Sequence, residues 1–574
     1  MTATLTEAPR SATVEPYRLS PQSRRVFVGL MLGMLVASIS QTIVGPAMPR
    51  IVAELGGMEH YSWVATAAML VSAITVPVVG KLSDLYGRRG FYLAGLAVFM
   101  VGSVVSGFAG NFWVLVLGRA IQGLGMGTLM PLSQTIIGDI IPARQRGKYQ
   151  GLMGAVFGVT SVAGPLAGGF ITDHWGWRWL FFAAVPIGLV ATVVIARFLH
   201  LPHERRVARI DYLGIATLTA SLVSLLLATS LGGTTYAWGS PTILGLYAVG
   251  AVALLAFVLV ELRAEEPVIP LRLFRSSVFT ASNVASFAVS MVMFGSIIYI
   301  PVYAQGVLGV DATNSGLILM PLMLGLIVMG IVSGLVVTRT GRYKAIMIAG
   351  VVVMGVGMWL LTRLTWTSSQ TELTVAMVVL GLGLGMAMQQ YTLVVQNAVD
   401  RADLGVATAS TQFFRNVGST VGIAVFGTVM TSGLAAAIAS HLPAEAAARM
   451  PAGAADAGSV LDPAALAGLP AVVADAVRQG LADQLHAVFL IAMPLVLVVL
   501  VATIAIKALP LRETANIDVP VVEEVGHDVL DAMAQSSPGT TRDDAVSGDA
   551  GSFDPASAGT APDATQRDRR HVAV

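Results

Sequence analysis

Few side chains in this sequence could do chemistry, and most of those lie inside long apolar runs. Arg119 sits in LGRAIQGLGMG, Leu117 to Gly127, with Gln122 one turn further on and on a similar helix face. A guanidinium at membrane depth is costly unless it meets water or a polar partner. Arg119 is therefore either a functional group in a hydrated cavity or a side chain satisfied by neighbouring carbonyls. A second polar set comprises Gln389, Gln390, Tyr391 and Gln396, and then Gln412, Arg415 and Asn416. An amide or phenol turned towards lipid would be unsatisfied, so these groups face a cavity or glue helices together. Patterns for other chemistries are missing. There is no Walker A phosphate loop, no HExxH zinc motif, no credible serine nucleophile elbow and no cysteine. The expectation is a protein that is not an enzyme, with no cofactor and no metal.

The elements that must position these groups are membrane helices. The chain of 574 residues is 55% hydrophobic and only 12% charged, too little charge for a soluble surface of this size. Apolar runs of roughly twenty residues, long enough to span a bilayer, recur along it. Backbone polar groups in lipid must be satisfied within helices or in a closed barrel, and barrel strands would show short alternating segments instead. The fold class is all-α and polytopic, with about fourteen spans by hydropathy. These run near 26–49, 61–80, 91–109, 112–139, 150–172 and up to 199, then 212–231 and 241–261. The second half supplies 278–305, 312–337, 345–363, 372–398, 405–433 and 484–506. Net charge is +1, which gives no electrostatic case for nucleic acid.

Between the second and third runs lies GKLSDLYGRRG, Gly80 to Gly90, a short basic turn. GLVVTRTGRYK, Gly334 to Lys344, repeats it: Gly80 matches Gly334, Gly87 matches Gly341 and Arg88 matches Arg342. A turn recurring between apolar helix pairs points to a duplicated bundle. Gly80 and Gly87 would permit close backbones, Asp84 would accept helix N–H groups or pair with arginine, and Arg88 and Arg89 would bias topology. A plain basic cytoplasmic loop is the simpler alternative. In the fifth run, Gly154 and Gly158 form a small-xxx-small pair, and Gly164, Pro165, Gly168 and Gly169 follow. They would either pack helices tightly or shape a kink. Trp175, Trp177 and Trp179 read as an interfacial anchor.

Lys and Arg concentrate in alternate loops. With the Gly80–Gly90 turn inside, an even count of spans puts both termini in the cytoplasm. The divisions are a cytoplasmic tail 1–25, a bundle 26–199, two extra helices within 200–277, a bundle 278–510 interrupted by an outer loop 434–483, and a disordered cytoplasmic tail 511–574.

With these residues in place, the chain resembles the major facilitator superfamily over about residues 24–510. GKLSDLYGRRG looks like that family's cytoplasmic loop motif. The segments around Arg119 and around Gly164 and Pro165 are similar to two more signatures, the latter of the antiporter type. Fourteen spans, TIVGPAMP (Thr42 to Pro49) and QFFRNVGSTVG (Gln412 to Gly422) resemble the drug:proton antiporter-2 branch. The resemblance implies two six-helix bundles with two inserted helices. It places Asp84 and Arg88 in a cytoplasmic gate, Arg119 in the central cavity handling protons, and Gly164 and Pro165 at the interface between halves. One departure stands out: the branch usually has an aspartate in helix 1 where this chain has Ser40, followed by Gln41. Thr338 also replaces the aspartate in the second loop copy, implying a weaker gate there.

The implied function is efflux of hydrophobic and amphipathic small molecules of multidrug type, driven by a proton gradient, by a monomer in a bacterial-type inner or plasma membrane. Its cavity would be apolar, with Arg119, Gln122, Ser40, Gln41, Gln389, Gln390, Tyr391, Gln412 and Arg415 as polar contacts. Lacking the helix 1 acid, it would favour cations less than the branch does. The alternatives are export of one endogenous lipid, siderophore or antibiotic, and a membrane sensor that keeps the transporter fold.

Overall fold

The computed structural model describes residues 19–56, 60, 63–201, 210–233, 236–310, 318–442 and 470–512, and these are helical almost throughout. Both predicted tails fall largely outside the described residues. Among the described residues, fourteen segments are long and apolar enough to cross a membrane. Their outer faces carry side chains such as Val252 (67% exposed), Leu255 (61%) and Val501 (60%). Apolar surface on this scale is stable only against lipid, so this is a multi-pass membrane protein.

The first half contains α1 (Pro21–Thr42), α2 (Met48–Leu55), α3 (Trp63–Tyr86), α4 (Arg88–Gly107), α5 (Phe112–Ile140), α6 (Ala143–His174), α7 (Arg178–Phe182) and α8 (Ala184–Phe198). Two inserted helices follow, α9 (Tyr212–Leu231) and α10 (Pro241–Glu261). The second half contains α11 (Ser277–Gly306), α12 (Met320–Thr340), α13 (Tyr343–Thr362), α14 (Gln370–Ala398), α15 (Leu404–His441) and α16 (Ala471–Ala505). Polar side chains start several of them. Asn111 accepts from Val114 N–H at α5, Asp211 from Gly214 N–H at α9, and Ser369 with Glu372 forms a capping box at α14. Each occupies backbone donors that lack a partner within the helix.

Four expectations need correction. The Gly80–Gly90 stretch is mostly helix, because α3 continues to Tyr86 and only Gly87, at φ +96°, breaks the chain before α4. Polar residues could stay helical there because their side chains find partners across the bundle. The basic stretch with Arg144, Arg146 and Lys148 is the first turns of α6. The first run stops at Thr42, and Gly45–Ala47 form a 3-10 turn where Pro46 withholds a backbone donor. The outer loop is shorter at both ends, since α15 reaches His441 and α16 begins at Ala471; residues 443–469 lie outside the described residues.

The halves meet along two related seams: α6 packs on α12, and α15 packs on α3. Both need glycine. A Cβ on Gly151 would lie 2.5 Å from the Gly330 carbonyl oxygen, and one on Gly147 2.8 Å from the Gly334 carbonyl oxygen. On the other seam a Cβ on Gly80 would overlap Ala409. The two motif glycines Gly80 and Gly334 thus serve close helix approach at equivalent places. The inserted helix α9 packs over the α3–α15 seam, and Lys81 of α3 pairs with Glu266, beyond α10, at 2.6 Å.

Replacing Gly151 by Val should wedge α6 from α12 at a cost of about 1–3 kcal/mol. The expected result is a lower unfolding temperature for the purified protein, whereas Gly169→Ala, which meets open space, should leave it unchanged. Equal midpoints for the two variants would show that the seam does not depend on this contact.

Candidate functional site

At one end of the bundle a carboxylate of the first half closes a helix of the second. Helix α15 has no side-chain cap of its own. Asp84 supplies one, accepting from Gly405 N–H at 3.0 Å and Val406 N–H at 2.8 Å. Arg88 donates to Asp84 at 2.9 Å, and its Nε lies 3.0 Å from Asp139 of α5. A negative charge against exposed N–H groups at a helix start is favourable, more so when buried. Gly405 leaves room for the carboxylate, which a Cβ there would overlap. Arg89 turns away and donates to the Ala196 carbonyl at 2.6 Å. Asp139 was not anticipated as a participant; its signal in the sequence is a lone acid at the end of an apolar run, beside basic residues. The second copy has no counterpart, because Thr338 bonds its own helix at the Gly334 carbonyl.

Further strapping lies at this end. Gln396 donates to the Gln134 carbonyl at 3.0 Å and to Thr408 Oγ1 at 3.1 Å, tying α14 to α5 and α15. Arg146 donates to the Gly138 and Ile141 carbonyls. Asn397 holds the segment after α16 through the Pro510 carbonyl and Arg512 N–H. At the opposite end, Arg178 and Trp177 both donate to Glu54 and hold its carboxyl below the usual carboxylate range. Trp177 is therefore buried, whereas Trp175 and Trp179 are exposed as an anchor requires.

Between the halves lies a central cavity of about 80 Å³. Gln41, Gln134, Gln389, Gln412, Asn416 and Arg415 supply polar groups to it, and five methionines, Met34, Met130, Met153, Met293 and Met388, much of its apolar wall. Methionine is flexible and polarisable, and suits a wall that must fit different shapes. These methionines were not singled out from sequence, where they are indistinguishable from core packing.

Arg119 is not at this cavity. It is 3% exposed and donates to the Val64 carbonyl, the Ser40 carbonyl and hydroxyl, and Gln122 Oε1. Gln122 in turn donates to Ser103 Oγ at 2.7 Å. Arg119, Gln122 and Ser40 form a closed network pinning α1, α3, α4 and α5. Tyr391 also points elsewhere, sharing a hydrogen bond with Thr503 Oγ1 at 2.7 Å, and Gln390 is buried outside the cavity lining. Of the helix α6 set, Gly154 backs onto Gln389, Gly158 onto Ile327, and Gly164 and Gly168 onto Thr42 and Ile43, while Gly169 touches nothing within 4 Å. Pro165 lies inside the continuous helix.

A larger cavity of about 370 Å³ lies towards the end away from Asp84. Its walls come from α3 (Thr66, Met69), α9 (Leu226, Thr229), α11 (Tyr299) and α15 (Thr428), with Trp238 beyond α9. Among the described residues, no Asp, Glu, Lys, Arg or His lines it. Drug-sized ligands occupy roughly 300–1,000 Å³. The molecule is thus closed at the Asp84 end, narrow at the centre and roomier beyond.

Removing the charge at Asp84 should loosen that closure. Hydrogen bonds to a charged group contribute about 1.5–3 kcal/mol each. Asp84→Asn should therefore raise the thiol-labelling rate of a cysteine placed at the buried Thr408 about tenfold or more; the chain's lack of cysteine makes this readout clean. An unchanged rate would mean the cap does not hold the end shut.

Comparison with known proteins agrees with this architecture. The sequence matches the Major Facilitator Superfamily over residues 30–423. It is 42% identical over 413 residues to the multidrug transporter protein MdtP of Bacillus subtilis, covering 72% of this chain and 76% of that protein. Multidrug resistance protein 3 of the same organism is 39% identical over 407 residues, with 71% and 79% covered. Among solved structures, the human organic anion transporter MFSD10 superposes with a TM-score of 0.55 at 14% identity, covering 83% of this chain and all of that one; at that identity the likeness concerns the fold alone. Two six-helix halves meeting at glycine seams, an aspartate closing one end, and a sequence match across most of the chain lead to one assignment: this chain belongs to the Major Facilitator Superfamily of transporters.

Proposed function

We propose that this protein exports hydrophobic and amphipathic small molecules across the plasma membrane by alternating access, with the Asp84 end and both termini in the cytoplasm. The observation that carries the reading is the central cavity between the halves, closed on the Asp84 side and lined by methionines and adaptable amides. Such a wall suits broad specificity. Relatives named as multidrug transporters support the substrate class. The positive-inside bias supports the orientation.

Energy would come from a proton gradient. Ser40 stands where a helix 1 carboxylate would carry the proton, and its hydroxyl is committed to Arg119. The acids placed to couple protonation to movement are Asp84 and Asp139, which share Arg88 at the seam. Neutralising Asp84 would weaken its hold on Gly405 and Val406 and favour opening on that side.

The test is dye movement in inverted vesicles with and without an imposed pH gradient. Expected is gradient-driven accumulation by the wild type, collapsed by a protonophore, with Asp139→Asn losing at least tenfold of the gradient-dependent rate. Absence of gradient-dependent movement for any of several anionic, neutral and cationic dyes would overturn the reading.

A further inference from the structure

Arg415 poses a charge problem that the protein leaves unsolved. It lies on α15 and, among the described residues, is the one ionisable side chain lining the central cavity. Its Nη1 is buried with no hydrogen-bond partner, and no ion pair with a described acid involves it. Arg415 as a whole is half-buried, whereas Arg119, fully buried midway along a helix, shows how this fold treats an arginine whose role is structural: three different residues accept from it. Of the amides lining the same cavity, Gln412 donates to Asn416 Oδ1 at 3.0 Å, and none of the hydrogen bonds around Gln134 and Gln389 reaches the guanidinium: their Oε1 atoms are buried without a partner. A guanidinium in a low-dielectric interior is unfavourable until water or an acceptor completes it, and an anion does so most strongly because it also neutralises the charge.

The space beyond Arg415 has the opposite character. Along α15 the lining passes from Asn416 of the central cavity to Thr420 of the larger one, whose hydroxyl donates to the Asn416 carbonyl at 3.1 Å. Along α3 it passes from Ser72 to Met69. The two cavities therefore follow one another on the same helices. From Arg415 to Thr428 is ~20 Å at ~1.5 Å per residue. The central cavity has room for a small polar head. The larger one is uncharged and mostly apolar, with scattered hydroxyls such as Thr66, Thr229 and Thr428.

We propose that the transported substrate is an amphipathic monoanion, whose carboxylate pairs with Arg415 and whose apolar body extends into the second cavity, walled on one side by the inserted helix α9. This names the substrate class of the transport site and rests on the transport reading above. It also assigns the inserted helices a role, as part of the substrate's apolar wall. Guanidinium and carboxylate match in charge and in bidentate geometry. The binding energy would come from removing an uncompensated charge that exists before the substrate arrives.

The experiment uses the full-length protein in nanodiscs and three probes on one scaffold: an anthroyloxy-labelled stearic acid, its methyl ester, and the matching primary amine. Expected is at least tenfold tighter binding of the acid than of the ester, and weaker binding of the amine than of either. Arg415→Gln should collapse the acid-to-ester ratio to near one, and Arg415→Lys, which keeps the charge, should retain part of it. Ala424→Trp, which fills the second cavity, should weaken acid and ester alike by tenfold or more, while Ala424→Ser should not. Equal binding of acid and ester to the wild type, or an unchanged ratio in Arg415→Gln, would overturn the anion anchor. Tight binding of the acid to Ala424→Trp would overturn the placement of its body. Gradient-driven transport of ester and amine in vesicles, without preference for the acid, would sink the anion assignment and leave the exporter reading standing. Movement of none of the three would remove both.

Discussion

The architecture turns on one carboxylate that belongs to the first half and caps a helix of the second. Helix α15 begins without a side chain of its own to occupy its first N–H groups, and Asp84 reaches across from α3 to take two of them. Because the same carboxylate also receives Arg88 of α4, and Arg88 also meets Asp139 of α5, four helices, α3, α4, α5 and α15, share one electrostatic knot. Such a knot is strong only while dry and complete, so it gives the closed end a cooperative rather than graded character. The glycines around it follow from the same need. Gly80 lets α3 and α15 approach, and Gly405 leaves the space the carboxylate fills.

The opposite seam closes by different physics. Between α6 and α12 the backbones touch through Gly147, Gly151, Gly330 and Gly334, with no equivalent charge, because Thr338 stands where the second copy would need an acid. One seam can thus be held by packing that moves little and the other by charge that can be neutralised. On the proton-coupled reading proposed above, this asymmetry would give a rocking transporter a preferred place to respond.

The two arginines placed midway along membrane helices near the centre, Arg119 and Arg415, are treated unequally. Arg119 donates through Nε and Nη1 to carbonyl, hydroxyl and amide oxygens and acts as a rivet among α1, α3 and α5. Arg415 is left incomplete at a cavity edge. Ser40 matters here: its hydroxyl completes the rivet without adding a negative charge.

Much of this was legible before any coordinates. Fourteen spans, the duplicated turn and the inserted pair follow from apolar run length and from Gly and Arg spacing, because lipid forces every spanning backbone into helix. The sequence also marked Asp84, Arg88, Gly154 and Gly164 as special. It placed Asp84 in a turn, because charged residues ordinarily end a membrane helix; the partners that keep it helical lie 321 and 322 positions away. It also placed Arg119 in the cavity together with Arg415, and only Arg415 lines it. Spacing along one helix reveals which residues share a face, but which face meets a cavity is set by the neighbours, and those are brought together only when the two halves pack. Charge, length and periodicity are properties of the chain; whether a buried arginine is satisfied or waiting for a partner is a property of the assembled bundle.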